Sequence, residues 1–291
     1  MNARRLALGI VGLAFSITVT AAHAQNFKFH QITIPGAVSN AANGINNAGV
    51  IVGSYQDSNN AFHGYILDGS KLTVLDDPNG SNTTASHSNF NGALHVVGSY
   101  TNSGGKSVGF LYSNGVYTDV PGPAGAISSF ANGINDDGVI VGGYTDANNV
   151  TSAFVLKGGE YTTITIFMAQ ITIASGINDS GDFTLWYVNG LTGVTQSQVY
   201  NAKTGAFQDI NVPGANDSLA LDINNAGDVC YQWTDSNFVS HAAVRHQGKF
   251  YKFDYPGSNY DYAKAINDKF QIVGAYTTVS NGPLLGFEAT R

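Results

Sequence analysis

Cysteine is nearly absent: Cys230 stands alone in 291 residues. No disulfide can form within the chain, so the fold must be held by a buried core, and a chain of this length can bury a sizeable one. Cys230 itself lies inside a strand pattern and reads as a small buried hydrophobe. Charge is sparse and one-sided, with 20 Asp and Glu against 13 Lys and Arg. That balance disfavours nucleic acid and anionic membrane surfaces as partners. After the first two dozen residues no apolar run approaches the roughly 20 residues that cross a bilayer, so no membrane insertion is expected. No window carries a 3.6-residue apolar period over ten or more residues, so helices are not expected either.

Enzyme signatures are missing as well. The sequence has no G-x-S-x-G nucleophile elbow and no H-E-x-x-H zinc pair. Gly104-Gly105-Lys106-Ser107 lacks the glycine that a phosphate loop needs where Tyr100 stands, and it joins two strands rather than a strand and a helix. The Asp-x-Asn turns at Asp57, Asp146 and Asp235 lack the rest of a calcium loop and read as Asx turns. Neither a metal nor a cofactor is expected.

What is present begins with Met1–Ala24: Arg4 and Arg5, an apolar run from Leu6 to Val19, then Ala22-His23-Ala24. This is the pattern of a secretory signal peptide. It predicts an exported protein, periplasmic or extracellular, with one domain over residues 25–291 and no hydrophobic sorting tail at Gly286–Arg291. Cleavage removes two arginines and no acid, leaving 11 basic against 20 acidic residues.

The rest of the chain repeats itself. Asn43–Tyr55 (NGINNAGVIVGSY) returns as Asn132–Tyr144, Ser175–Tyr187, Leu221–Trp233 and Lys264–Tyr276, with a weaker copy at Ser88–Tyr100. With Ile45, Phe90, Ile134, Ile177, Ile223 and Ile266 as markers, the steps are 45, 44, 43, 46 and 43 residues. Each period holds four short segments rich in Val, Ile, Tyr, Phe and Thr, separated by Gly, Asn, Asp and Pro, which predicts strands. Asn46-Asn47-Ala48-Gly49 and its copies are turns in which Asn and Asp cap the backbone and Gly takes positive φ. Pro-Gly recurs at Pro35, Pro121, Pro213 and Pro256, where one repeat hands over to the next; only the fourth repeat begins otherwise, through Ile166-Phe167-Met168-Ala169.

Four strands per repeat of about 45 residues predict an all-β, six-bladed β-propeller. The sixth copy holds only three strands, and Asn26–Gly36 parallels Gly248–Gly257, the fourth strand of the fifth copy. The N-terminal strand is therefore expected to complete the last blade and close the ring, leaving no open edge. The pattern of Pro35-Gly36-Ala37, Gly44–Tyr55 and His63-Gly64-Tyr65, echoed at Ser152-Ala153-Phe154 and His241-Ala242-Ala243, resembles the bacterial extracellular HAF-repeat proteins. The resemblance implies an exported repeat protein and transfers no catalytic residue.

Function is sought where the copies differ. His63 and His241 occupy the same repeat position and read as structural. His87 stands where the other copies place Ala42, Ala131, Ala174, Ala220 and Ala263 on the innermost strand. Two positions on, the copies read Gly44, Asn89, Gly133, Gly176, Asp222 and Ala265, with Lys264 beside them. His87, Asn89, Asp222 and Lys264 are thus candidates for a polar set at an axial funnel. There a His beside an Asp has the makings of a base and its orienter; the competing reading is a solvated channel wall. Tyr55, Tyr100, Tyr144, Tyr187, Trp233 and Tyr276 end every second strand and read as packing between blades. The two positions before them are small in most copies but Leu185-Trp186 and Tyr231-Gln232 in the fourth and fifth. Trp186, Tyr187, Tyr231 and Trp233, with Asn89, are the candidate ligand-binding residues, since an aromatic patch there stacks on a sugar or fills space left by small neighbours. The leading expectation is a secreted, non-enzymatic binding propeller for glycans or other neutral polar ligands, or for a protein. The alternative is a secreted carbohydrate-active lyase or hydrolase using His87, Asp222 and Lys264 at the funnel.

Overall fold

The structure, a computed structural model, describes residues 27–291; the expected leader at 1–24 lies outside the described residues. Among those residues there are 24 strands and no helix, hence none long and apolar enough to cross a membrane. The architecture is an all-β propeller. In the first repeat Ser39–Ile45, Ile51–Gln56, Phe62–Asp68 and Lys71–Leu75 form an antiparallel meander, with the first strand innermost. The second and fifth repeats form sheets of the same kind. The third and fourth are joined into one eight-stranded sheet by a single parallel bridge between Thr151 and Ile171. The sixth repeat supplies Tyr260–Ile266, Ile272–Thr277 and Leu285–Thr290, and the outer place in its sheet is taken by Lys28–Ile32. That strand pairs with Leu285–Thr290 from Lys28 opposite Thr290 to Ile32 opposite Gly286.

The core lies between sheets. One cluster joins Ile32, Ile34, Ala265 and Val273 from the ends of the chain to Ala42, Ile45, Ile51 and Tyr65 of the first repeat. Six alanines, Ala42, Ala85, Ala131, Ala174, Ala220 and Ala263, are fully buried on the inner strands. Ala85 belongs to this set, and His87 does not replace an alanine. Ala85 pairs with Gly98 as Ala42 pairs with Gly53, and after a one-residue bulge His87 pairs with Val97 as Gly44 pairs with Val52. His87 is therefore the counterpart of Gly44, Gly133, Asp222 and Ala265. Ser88 replaces the repeated Ile, and Asn89 takes the place of Asn46. With Ser88 as marker the steps become 43, 46, 43, 46 and 43 residues. The second repeat hides this because its inner hairpin continues through two further pairs, Asn89 with His95 and Phe90 with Leu94.

The repeated asparagine serves two purposes. Asn46 Oδ1 accepts the Ala48 and Val50 N–H groups at 3.0 Å, capping its turn, as Asn224 and Asn267 do in theirs. The amide nitrogen reaches the neighbouring repeat: Asn135 donates to Asn178 O at 3.0 Å, Asn178 to Asn224 O at 3.2 Å, Asn224 to Asn267 O at 3.1 Å and Asn267 to Asn46 O at 3.0 Å. Asn89 donates to Asn135 O in the same way. Asn46 Nδ2 alone in this belt has no partner among the described residues. The fourth repeat makes its handover turn without Pro-Gly: Met168 adopts φ +61°, where Gly36, Gly214 and Gly257 have +81°, +74° and +80°.

Candidate ligand-binding site

The inner strands line two cavities, one toward each end of those strands. On one side a cavity of about 120 Å³ is bounded by His87, Ser88 and Asn89 with the asparagine turns and Asp136, Asp179 and Asp268. On the other a cavity of about 410 Å³ is bounded by Trp186, Phe130, Gln232, Tyr260, Tyr262 and Lys264, with Asn43 and Asn132. Along the inner strands of every repeat but the second, the earlier residues reach the larger cavity and the later ones the smaller; the second repeat lines only the smaller, and Gly44, Gly176, Asp222 and Ala265 line neither.

His87 and Asp222 meet, Nε2 lying 3.5 Å from Oδ2. Asp222 Oδ2 also accepts the Ile266 N–H at 3.0 Å. A carboxylate fits there because the fourth repeat has Gly176, where an added Cβ would sit 2.6 Å from Asp222 Cα. Asp222 is 2% exposed. His87 Nδ1, Ser88 Oγ and Asp222 Oδ1 have no partner among the described residues. Asn89 is held by Asn135 O and by His95 Nδ1 at 3.0 Å from its Oδ1, so it belongs to the asparagine belt. The proposed polar set is thus divided: His87 and Asn89 line the small cavity and Asp222 lines neither, whereas Lys264 lines the large one. At the small cavity's mouth, burial and the neighbouring Asp179 raise the pKa of Asp136.

The aromatic candidates are divided by strand periodicity, since successive side chains point to opposite faces. Leu185, Tyr187, Tyr231 and Trp233 share one face; Trp186 and Gln232 share the other. Tyr231 is fully buried in the core between the fourth and fifth repeats and is not available to a ligand. Trp233 is 8% exposed, donates Nε1–H to Ala242 O at 3.2 Å, stacks on His241 at 4.7 Å and lies under Lys252 Nζ at 3.7 Å. Tyr187 donates its hydroxyl to Gln196 Oε1 at 3.0 Å and packs beside the Leu185 core. Only Trp186 of the four lines the large cavity. His63 and His241 hold their expected structural places, bonded to Asp76 at 2.8 Å and Asp254 at 3.0 Å.

The large cavity combines aromatic walls with spare acceptors. Asn43 Nδ2 donates to Ala85 O at 2.9 Å and to Ser54 Oγ at 3.3 Å, and Asn132 Nδ2 donates to Ala174 O at 2.9 Å. Gln232 Nε2 donates to Ser240 Oγ at 3.0 Å and Tyr260 Oη at 2.9 Å. The amide nitrogens thereby donate within the protein, while the three carbonyl oxygens keep their lone pairs. Lys264 is the cavity's cation. Desolvation lowers its pKa, against the opposing influence of Cys230 and Asp222. Tyr260, Tyr262, Phe130, Asn43 and Asn132 were not among the sequence candidates. Their signal lies across strands: Phe130 faces Gly143, Tyr262 faces Ala275 and Trp186 faces Ser197, each large residue opposite a small one.

No family model matches the sequence, and comparison with curated proteins gives no match. Solved structures do resemble it. A TolB-like protein from Agrobacterium tumefaciens aligns with a TM-score of 0.60 at 11% identity over 91% of this chain and 98% of that one. TolB from Acinetobacter baumannii aligns at 0.55 and 11% identity over 89% of this chain, which spans 65% of that protein's length. A mutant of the Aleuria aurantia lectin, solved with Fucα1-6GlcNAc, aligns at 0.52 and 11% identity over 86% of this chain and 91% of that one. At such identities the likeness establishes the propeller fold.

Proposed function

We propose that the chain is an exported, non-enzymatic binding propeller of the HAF-repeat kind, with six blades closed by the N-terminal strand, and that it takes a glycan in the cavity beside Trp186. The pairing of Lys28–Ile32 with the last strand and the bond from Asn267 to Asn46 O support closure. One observation carries the binding reading: Trp186 stands where four of the other repeats have Ser, Gly or Ala, and it turns toward a cavity whose amide oxygens are free to accept hydroxyl protons. An indole face packs on the C–H face of a sugar while such acceptors fix its hydroxyls. The lectin among the structural neighbours binds a fucosylated disaccharide, so a propeller of this kind can carry a sugar site. The test is a glycan array probed with wild type and Trp186→Ala. Retention of at least one glycan by wild type and its loss in the variant is expected, and an array on which wild type retains nothing overturns the reading.

A second reading, a carbohydrate lyase or hydrolase, rests on the His87–Asp222 pair at 3.5 Å. A base and its orienter have that relation. Cleavage products from any glycan retained on the array, lost in His87→Ala, would favour it over simple binding.

A further inference from the structure

Lys264 has no hydrogen bond or ion pair within the described residues, and it lies half-buried at the wall of the large cavity that Trp186, Tyr262, Leu219 and Leu221 also line. An ammonium so placed, against apolar and aromatic walls, has lost part of its hydration without gaining a counter-ion, and a partly desolvated charge is stabilised by a partner of opposite sign. The carboxylate nearest in kind, Asp222, is engaged with the Ile266 N–H and His87. No acid lines the cavity itself. The polar groups that do are amide oxygens and hydroxyls, which accept from a sugar's hydroxyls but cannot neutralise a lysine.

Resting on the reading above, we propose that the glycan bound beside Trp186 carries a carboxylate, as hexuronic and sialic acids do, and that Lys264 is the residue that selects it. The ring stacks on Trp186, its hydroxyls donate to the amide oxygens of Asn43, Asn132 and Gln232, and its carboxylate supplies Lys264 with the missing counter-ion. Binding then fills the one unpaired charge of the site. The protein's acidic balance does not oppose this, because exposed charges are screened beyond roughly 10 Å at ordinary ionic strength while a desolvated pair is screened far less.

The experiment is calorimetric titration of the full chain with digalacturonate, an unsaturated-free chondroitin disaccharide and 3′-sialyllactose, each compared with its methyl ester, which keeps the sugar and removes the charge. At least one acid is expected to bind tenfold or more tightly than its ester. Lys264→Gln abolishes that preference, Lys264→Arg retains it, and Trp186→Ala loses acid and ester alike. Equal binding of every acid and its ester overturns the proposal and leaves the glycan reading standing, as does a preference that survives in Lys264→Gln. Binding of neither form overturns the proposal, and an empty array besides overturns the glycan reading too. Thermal melting of Lys264→Gln and Lys264→Arg separates a lost contact from a lost fold; where the Gln variant is unfolded, Lys264→Arg decides, a retained preference supporting the proposal and a lost one overturning it.

Discussion

Asp261 sits between the fifth and sixth repeats, 1% exposed, accepting the Tyr255 N–H at 2.8 Å and the Ser258 hydroxyl. Burial raises its pKa to about 6, outweighing the two hydrogen bonds that pull the other way. The folded protein therefore holds this proton more tightly than the unfolded chain does. Asp261 contributes stability fully present below the ordinary carboxylate range and lost as pH rises through about 6. Asp261→Asn keeps an acceptor for Tyr255 and removes the titration. Its melting temperature, followed from about pH 4 to pH 7, is expected to vary less steeply than that of wild type; parallel curves would show that the proton is bound elsewhere. Asn135, Asn178, Asn224 and Asn267 illustrate residue-scale economy of another kind. One side chain closes a turn with its oxygen and ties adjacent repeats with its nitrogen, which is why the Ile-Asn pair recurs while its neighbours drift.

At the scale of the strand, the second and third strands of each repeat exchange bulk. Gly53 faces Tyr65, Gly98 faces Phe110, Gly142 faces Phe154 and Gly274 faces Phe287. The glycine is required, since a Cβ at Gly53 would lie 2.6 Å from the Tyr65 ring. The fifth repeat inverts the arrangement, with Tyr231 facing Ala243, and the aromatic ring still fills the space. Tyr231→Gly should cost about 3–5 kcal/mol, as deletion of a fully buried ring does. Adding Ala243→Phe should recover more than half of that, measured by urea midpoint at constant slope. A double variant no more stable than the single one would refute the exchange. This also explains what the sequence concealed. Strand number, turn residues and repeat boundaries follow from local pattern and were legible. Tyr231 looked like half of an exposed aromatic patch because its partner across the sheet, Ala243, becomes its neighbour only once the register is known. The weak second copy was misaligned by two residues for a related reason: a hairpin can lengthen by whole pairs without disturbing the repeat text around it. Of the candidate site, Trp186 and Lys264 were legible as departures from the repeat, whereas Tyr260, Tyr262, Asn43 and Asn132 acquire meaning only from the cavity they share.

For the molecule as a whole, the strand Lys28–Ile32 matters out of proportion to its length. It covers the edge of Leu285–Thr290 and delivers Ile32 and Ile34, 7% and 3% exposed, to the core shared by the first and last repeats. A chain lacking residues 27–36 exposes that edge and loses both side chains. It is expected to melt several degrees lower, since two buried isoleucines are worth about 3–6 kcal/mol together. It is also expected to self-associate on size-exclusion chromatography, because an unpaired strand edge recruits other chains. A separate peptide of residues 27–36 should restore the monomer; an unchanged melting temperature would mean that the strand is ornamental.

The same pairing has a consequence in time. Lys28–Ile32 is the earliest described strand to be synthesised, and Leu285–Thr290, its partner, is the latest. At roughly 5–20 residues per second of synthesis, the first strand waits tens of seconds for a place to dock, while the repeats between them can form hairpins as they emerge. The slow step of folding is therefore expected to be the meeting of the two ends, and any factor that shields nascent chains has its longest task at the beginning of this one.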